Sequence, residues 1–264
     1  MCSSGITKMN LDKFTILDLS VHLAPGPSEA VPVEIEYMDH RFGGAHLAEL
    51  VGIEQTDLCG GLGWASERVS AITHSGTHVD SPFHYSPECE GKPSKTIDEI
   101  PVNWFWGHGV CIPVDGKDQE IPIGMDELKD FEKFYGYEIK KGDIVLFRTG
   151  AGEHYGSSEY KNRGRGISPA LIEMLCLKGV RVFGTDAWSI DPPYWLMREN
   201  ISKHGPKAAW EAHFTGKGME FCVIEKLSNL QHLPPFGFWV ACFPIKVKRG
   251  SGAWTRAIAL LEME

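Results

Sequence analysis

Apolar positions along this chain follow two periods, and the short one dominates. Runs rich in β-branched and aromatic residues, the composition of pleated strands, fall at Phe14–Val21, Val69–Thr73, Gly109–Val114, Ile144–Arg148, Val180–Gly184, Phe221–Ile224, Phe238–Lys246 and Trp254–Leu261. Gly142-Asp143 is a turn signal that fixes where the strand Ile144–Arg148 starts. The helical period shows at Pro169–Lys178, where Leu171, Ile172, Leu175 and Cys176 make one stripe. Ser168 suits its N-cap, Pro169 its first position and Gly179 the residue just past its end. Leu128, Phe131 and Phe134 mark a second helix over Met125–Phe134. A third is predicted over Pro193–Lys203, broken at Gly205-Pro206 and resuming at Lys207–His213. Strands outnumber helices, which predicts an α/β or α+β fold with a mixed sheet and helices on one side. No repeat or linker-like shift divides the chain, so residues 1–264 are read as a single domain.

Composition narrows the function classes. A hydrophobic content of 42% with 23% charged residues is that of a globular protein, not a disordered one. At 264 residues the chain needs neither disulfide nor metal merely to fold. The formal charge of −9 argues against a nucleic-acid partner. The basic stretches Lys161–Arg165 and Lys246–Arg249 read as solvated loop and strand-edge charges. The longest apolar run, Gly237–Ile245, is far short of the roughly 20 residues that span a bilayer. The first ten residues lack the apolar core of a secretory signal, and Cys2 stands where N-myristoylation needs Gly. A cytoplasmic protein is predicted. The seven cysteines are odd in number and form no C-x-x-C pair, so neither a disulfide framework nor a zinc ribbon is indicated. Cys111, Cys176, Cys222 and Cys242 lie in apolar surroundings and read as buried, inert thiols.

One passage calls for a chemical explanation. Of eleven histidines, three fall in His74-Ser-Gly-Thr-His78-Val-Asp80-Ser-Pro-Phe-His84. Imidazole and carboxylate are the usual ligands of Zn²⁺ and Mn²⁺. In an extended strand the Cα atoms of His74 and His78 would stand about 13 Å apart, near the limit for sharing an ion. In a helix they would be neighbours, with Asp80 pointing elsewhere. Gly76 resolves this by letting the chain leave the strand Val69–Thr73 and curl, so that His74, His78 and Asp80 converge. Pro82 then keeps the segment out of any regular helix or central strand, and a curled loop is predicted. His84 fits a fourth ligand, a general base or a satisfied core histidine. His22, His40, His46, His108, His154, His204 and His232 are scattered and carry no site.

The pattern H-x-G-T-H-x-D-x-P-x-H strongly resembles the signature of the metal-dependent cyclase-type hydrolases, the family of bacterial kynurenine formamidases and isatin hydrolases. The similarity extends to Asp18-Leu19-Ser20, to Gly142–Gly150, to Gly166–Asp191 with its Gly-x-Asp and Ser-x-Asp, and to the Gly-rich close Lys248–Ala257. In that close, Trp254-Thr255 replaces a more usual Pro-containing step. The resemblance implies a mixed β-barrel-like core flanked by helices, a swivelling β/β/α arrangement assembled as a homodimer or homotetramer. It further implies that His74, His78 and Asp80 are metal ligands and His84 the catalytic acid/base. The family's second pair, a His followed twelve residues later by a Glu, corresponds to His213 and Glu225. In some relatives that pair completes a two-zinc site, whereas isatin-hydrolase-like members hold one Mn²⁺; one or two ions per chain are therefore expected. Relatives also borrow aromatic residues from a neighbouring subunit. Trp64, Trp104, Trp106 and Trp188 are candidates here, with core packing the preferred reading for each.

A cation held by two imidazoles and a carboxylate activates water and polarises a carbonyl, which points to hydrolysis of a small amide, lactam or aryl formamide of the N-formylkynurenine or isatin type. The alternatives are a lactone hydrolase of the dienelactone type, a ring-closing cyclase, or, in another class, a non-catalytic metal-binding protein.

Overall fold

A computed structural model describes residues 13–262. Its strands are β1 (Phe14–Asp18), β2 (Glu34–Met38), β3 (Ser66–Ser70), β4 (His78–Asp80), β5 (Glu88–Cys89), β6 (Lys92–Pro93), β7 (Trp106–Pro113), β8 (Ile144–Arg148), β9 (Val182–Thr185), β10 (Cys222–Glu225), β11 (Phe236–Ala241), β12 (Gly252–Trp254) and β13 (Ile258–Glu262). The helices are α1 (His40–Val51), α2 (Pro82–Tyr85), α3 (Met125–Tyr135), α4 (Pro169–Leu177), α5 (Tyr194–His204) and α6 (Glu211–Phe214). Among the described residues nine strands form one sheet in the order β1-β13-β11-β7-β8-β9-β10-β4-β12, and β2/β3 and β5/β6 are separate pairs. The centre, β7 to β10, is parallel. The flanking pairs are antiparallel.

The connection between β12 and β13 dictates the sheet's shape. These strands lie seven spacings apart in the sheet order, about 34 Å if the sheet were flat. Only residues 255–257 join them, and so short a link reaches about 14 Å. The sheet must therefore curl toward closure. Isolated bridges Ser20–Leu227 and Pro244–Thr255 stitch the curl. This is the mixed, barrel-like core that the resemblance implied.

Both faces of the central strands are buried, which is why they read as unbroken apolar runs. Along β8, Val145 and Phe147 pack outward against Leu128 and Phe131 of α3 and Leu171, Ile172 and Leu175 of α4. Ile144 and Leu146 point into the curl with Val79, Ile224, Val240 and Ala253. The predicted helices stand nearly where expected: the Ser168 side chain accepts from the Leu171 amide, and Gly179 holds φ +89.

Several expectations need correction. The strand predicted at Val69–Thr73 is β3, shifted toward the N-terminus, and its partner β2 and the helix α1 were not anticipated. Gly43 and Gly44 weaken the helical signal of α1, yet they are needed. A Cβ on Gly43 would meet the Trp64 carbonyl oxygen at 1.8 Å. The helix predicted over Lys207–His213 is a turn followed by α6, because Trp210 takes a left-handed conformation between them. The run Phe238–Lys246 leaves the sheet after Ala241, ahead of Pro244, and Trp254–Leu261 divides into β12 and β13. His74–His84 is not wholly a loop. His78–Asp80 is a strand between β10 and β12, and Pro82 opens α2. Pro82 lies beyond the strand, and at a first helical position its missing N–H costs nothing. Lys246, Lys248 and Arg249 are exposed as expected, but Arg165 is buried, donating to the Ile121 carbonyl and to Glu127 at 2.7 Å.

Cys111, Cys176, Cys222 and Cys242 are buried free thiols, while Cys2 lies outside the described residues. Trp104 packs on the inner core, Trp106 stacks on Trp239, and Trp64 meets the edge of His46. Among the described residues no helix is long and apolar enough to cross a membrane.

Gly252 of β12 sits opposite Asp80 of β4. A Cβ added there would lie 2.7 Å from the His74 ring and 2.8 Å from the Val79 carbonyl oxygen. Neither can recede without opening the strand pair. Gly252→Ala should therefore cost about 1–3 kcal/mol of unfolding free energy, the usual penalty for overpacking. Gly26→Ala, with nothing within 4 Å, should change it by less than about 0.5 kcal/mol. Denaturant titration checks both, and equal stabilities would mean that the strands yield.

Candidate metal centre

Strand alternation builds the centre. His78 and Asp80, two apart on β4, share one face while Val79 enters the inner core. Register then sets Glu225 of β10 opposite His78. His213 arrives from α6, whose first amides are held by Asp191: its carboxylate accepts from the Ala212 and His213 amides. Helix α2 places His84 one turn past Asp80. His74 comes from the turn before β4, where Gly76 holds φ +61 as the sequence predicts.

All six predicted site residues converge. Asp80 Oδ1 stands 3.3 Å from His78 Nε2, and Asp80 Oδ2 stands 3.7 Å from His213 Nε2 and 3.9 Å from His84 Nε2. Glu225 repeats the pattern, with one oxygen 3.7 Å from His78 Nε2 and the other 3.6 Å from His213 Nε2. Each carboxylate thus offers one oxygen to each imidazole. His78 Nδ1 bonds the Gly76 carbonyl and His213 Nδ1 bonds Asp191, so both Nε2 atoms point inward.

These inward atoms provide the test of fit. His78 Nε2, Asp80 Oδ2 and His213 Nε2 are buried without a hydrogen-bond partner. Stranded polar atoms are costly, and imidazole nitrogens beside a carboxylate oxygen are the donor set a divalent cation satisfies. His78 Nε2 at 3.3 Å from Asp80 Oδ1, and His213 Nε2 at 3.7 Å from Asp80 Oδ2, are each spaced as two ligands held about 2.0–2.2 Å from an ion. The groups His74–His78–Asp80 and Asp80–His84–His213 each bring their ligand atoms within 4.8 Å. His74 differs from the others. Its Nδ1 lies 2.6 Å from Asp80 Oδ1 and its Nε2 2.9 Å from Ser251 Oγ, so both of its ring nitrogens have partners.

Electrostatics divide the imidazoles. Burial disfavours charge on His213, but Asp191 and Asp80 outweigh it and raise its pKa to about 10. Burial likewise opposes charge on His78, and Asp80 prevails and raises it. At His84 burial wins over the attraction of Asp80, with His74 and His213 adding repulsion, and the pKa falls to about 4. His84 is therefore neutral at pH 7, well below the ordinary value near 6.5. Burial pushes Asp80 up, but the surrounding imidazoles hold it well below the carboxylate range. Glu225 is raised by burial and by the Asp80 charge.

A cavity of about 280 Å³ opens on this cluster, walled by Trp188, Tyr194 and Trp210 and by Ile72, Glu29 and Lys226. A larger groove of about 650 Å³ runs along α3 past Lys117 and Phe134, far from any ligand set. Trp188 thus lines the site rather than only packing a core. Trp210, whose ring stacks on His213 at 4.4 Å, gave no signal in the sequence. Asp191 was visible only as the end of a family-like Ser-x-Asp, and Ser251, Glu29 and Lys226 only as ordinary polar residues.

With this geometry in place, likeness to known proteins has meaning. The family model Cyclase ("Putative cyclase") matches residues 17–192, two thirds of the chain. That match ends before His213 and Glu225, whose place beside Asp80 rests on the fold. A kynurenine formamidase from Erythrobacter litoralis is 27% identical over 191 residues, 72% of this chain and 74% of that protein. An isatin hydrolase from Roseibium aggregatum is 27% identical over 213 residues, 71% of this chain and 72% of that one. The solved structure of isatin hydrolase A from Ralstonia solanacearum shares the fold, with a TM-score of 0.78 at 23% identity over 98% of this chain and all of that one. The chain belongs to the Cyclase family.

Proposed function

We propose that this chain is a metal-dependent hydrolase that cleaves the C–N bond of a small amide, lactam or aryl formamide, of the N-formylkynurenine or isatin type. It uses one or two Zn²⁺ or Mn²⁺ ions per chain. The observation that carries this reading is the convergence of three unpartnered buried atoms, on His78, Asp80 and His213, beside a cavity with aromatic walls. The kynurenine formamidase and isatin hydrolase relatives support the amide class. His74, His78 and Asp80 would hold one ion, and His213 and Glu225 would hold a second where two are bound. That each carboxylate faces both His78 and His213 favours two positions over one.

A cation bound there would supply Lewis acidity, polarising a carbonyl and bringing the pKa of water from about 15.7 toward about 7. The chain supplies the rest. Asp191 and the Gly76 carbonyl fix the tautomers of His213 and His78. The two carboxylates balance the cation's charge in a place that water does not screen. Neutral His84, at the cavity wall with Nε2 turned toward the ligands, takes the proton of the attacking water and returns it to the departing nitrogen. Trp188, Tyr194 and Trp210 offer flat faces to a planar substrate and exclude bulk water. The products are a carboxylate and an amine, joined in one molecule when a lactam is opened.

The primary test is metal analysis combined with turnover of an aryl formamide, isatin and a dienelactone. Chelation should abolish amide hydrolysis, and Zn²⁺ or Mn²⁺ should restore it. Full turnover by metal-free protein sinks the reading. Turnover of the lactone alone moves the substrate to esters, and a loaded protein inert to all three is a binding protein.

Roles within the cluster separate by substitution. His84→Asn should keep its metal and lose roughly 10²–10⁴-fold in turnover, the usual range for a general acid/base. His78→Asn should lose metal. If wild type holds two ions per chain, Glu225→Ala should drop the content from about two toward one, as expected of a residue in a two-metal site; a wild-type content of one ion makes Glu225 a neighbour of the single site. If His84→Asn strips the ion as thoroughly as His78→Asn does, His84 is a ligand.

Metal uptake should also release protons. A histidine ligand must be neutral, whereas without the ion His213 keeps its proton up to about pH 10 and the pKa of His78 is raised too. The release should be present at pH 7–8 and vanish as pH rises through about 10. Zn²⁺ calorimetry in buffers of different ionisation enthalpy reads it, and heats that do not vary with buffer would contradict the protonated assignment.

A further inference from the structure

Lys226 follows Glu225 directly and is one of the most deeply buried charges in the protein, 2% exposed. Its backbone holds φ +58, in the left-handed region that Gly and Asn adopt readily and Lys rarely does. A position shaped only by its backbone would take one of those residues. The lysine side chain must therefore supply something that offsets the strain.

Its contacts show what that is. Lys226 Nζ donates to Glu29 Oε2 at 2.6 Å and to the His74 carbonyl at 2.8 Å, and it lies 5.3 Å from the face of Trp188. The other Glu29 oxygen accepts from the Gly76 amide at 2.9 Å and from the Tyr155 hydroxyl at 3.2 Å. The Lys226 carbonyl accepts from Thr77 Oγ1 at 2.6 Å, and Thr77 Oγ1 in turn accepts from the Val21 amide. The turn His74–Thr77 is thus gripped at three successive points, the His74 carbonyl, the Gly76 amide and the Thr77 hydroxyl, all by Lys226 and Glu29. Glu29 is itself anchored, because the neighbouring Ser28 hydroxyl bonds Ser157 and Gly156. Two of the three Nζ hydrogens and both Glu29 oxygens are thus committed to this network.

We propose that Lys226, through its ion pair with Glu29, is a positioning residue that sets the His74–Thr77 turn so that His74 and His78 present their nitrogens to the ion. This rests on the metal reading above. Gly76 carries the link: its amide is held by Glu29 and its carbonyl accepts from His78 Nδ1. Displacing the turn therefore rotates His78 as well as shifting His74. A partner that orients a ligand in this way typically changes metal affinity by about 10–100-fold.

The test compares wild type, Glu29→Gln/Lys226→Asn and Lys226→Arg. The double variant removes both buried charges together, so neither is left unpaired, and Asn suits the left-handed backbone. Zn²⁺ affinity is read by competition with a chromophoric chelator, ligand geometry by the visible spectrum of the Co²⁺-loaded protein, and folding by the thermal midpoint without metal. The double variant should fold, bind Zn²⁺ about 10–100-fold more weakly and give an altered Co²⁺ spectrum. Lys226→Arg, which keeps the charge, should recover part of the affinity. Wild-type affinity together with an unchanged spectrum in the double variant overturns the proposal while leaving the metal reading intact. Wild-type protein that takes up neither Zn²⁺ nor Co²⁺ overturns both.

Discussion

Asp80 puts a carboxylate at a point in the sheet that no water reaches. Isolated charge in such a place costs far more than folding supplies, so the protein has to surround it with positive partners. Four imidazoles border it, those of His74, His78, His84 and His213, at 2.6 to 3.9 Å from its oxygens, and of these His78 and His213, whose pKa values are raised, supply the positive charge. Glu225 then adds a second buried carboxylate facing two of the same rings. Its raised pKa records the conflict, since burial and the Asp80 charge both resist its ionisation. Two acids set against the same buried histidines are short of positive charge, and a divalent cation is what relieves that shortage. The charges favour a divalent metal at this cluster independently of the relatives.

The curled sheet makes such a cluster possible. Residues from 74–84, 213 and 225 are remote in sequence, and they meet because β4 is inserted between β10 and β12. Strand β12 reaches that edge only because the sheet curls far enough for three residues to carry the chain across to β13. Gly252 lets β12 press against His74, and Ser251 bonds the outer nitrogen of the same ring. The last strands of the sheet thus close the fold and also support its first metal-ligand candidate. On the opposite side, Lys226 and Glu29 hold the turn from below, so His74 is braced from two directions.

What could be read from the sequence depended on whether its cause was local. Ile144–Arg148 was plain because burial on both faces leaves an unbroken apolar run. Pro169–Lys178 was plain because its cap, stripe and terminal glycine lie within a dozen residues. The x in His78-x-Asp80 already encoded one shared strand face, but a three-residue strand is too short to show alternation beside Gly76 and Pro82. Helix α1 stayed hidden because Gly43 and Gly44 answer to the backbone around Trp64 and not to helix propensity. His213 and Glu225 could be named only through family resemblance, since what joins them, Asp191 and the β10–β4 register, is entirely non-local. Trp210 and the Lys226–Glu29 pair left no trace for the same reason.

The imidazoles also illustrate how one environment can produce opposite protonation states. His213 and His84 both border Asp80, and burial disfavours the charged form of each. His213 has a second carboxylate, Asp191, bonded to Nδ1, and the pair of acids more than repays its desolvation, so it holds a proton until about pH 10. His84 has only Asp80, 3.9 Å away, and it stacks on His74 at 4.1 Å with His213 at its edge. Burial outweighs the pull of Asp80 and the neighbouring imidazoles add repulsion, which leaves it neutral above about pH 4. A cation bound by Asp80 would act in the same direction. Pairs of titratable groups driven apart by their surroundings mark which is held and which is free to exchange a proton. Of these two, the side chain left neutral is the one that lines the cavity, beside His74 and His78, while His213 lies behind them.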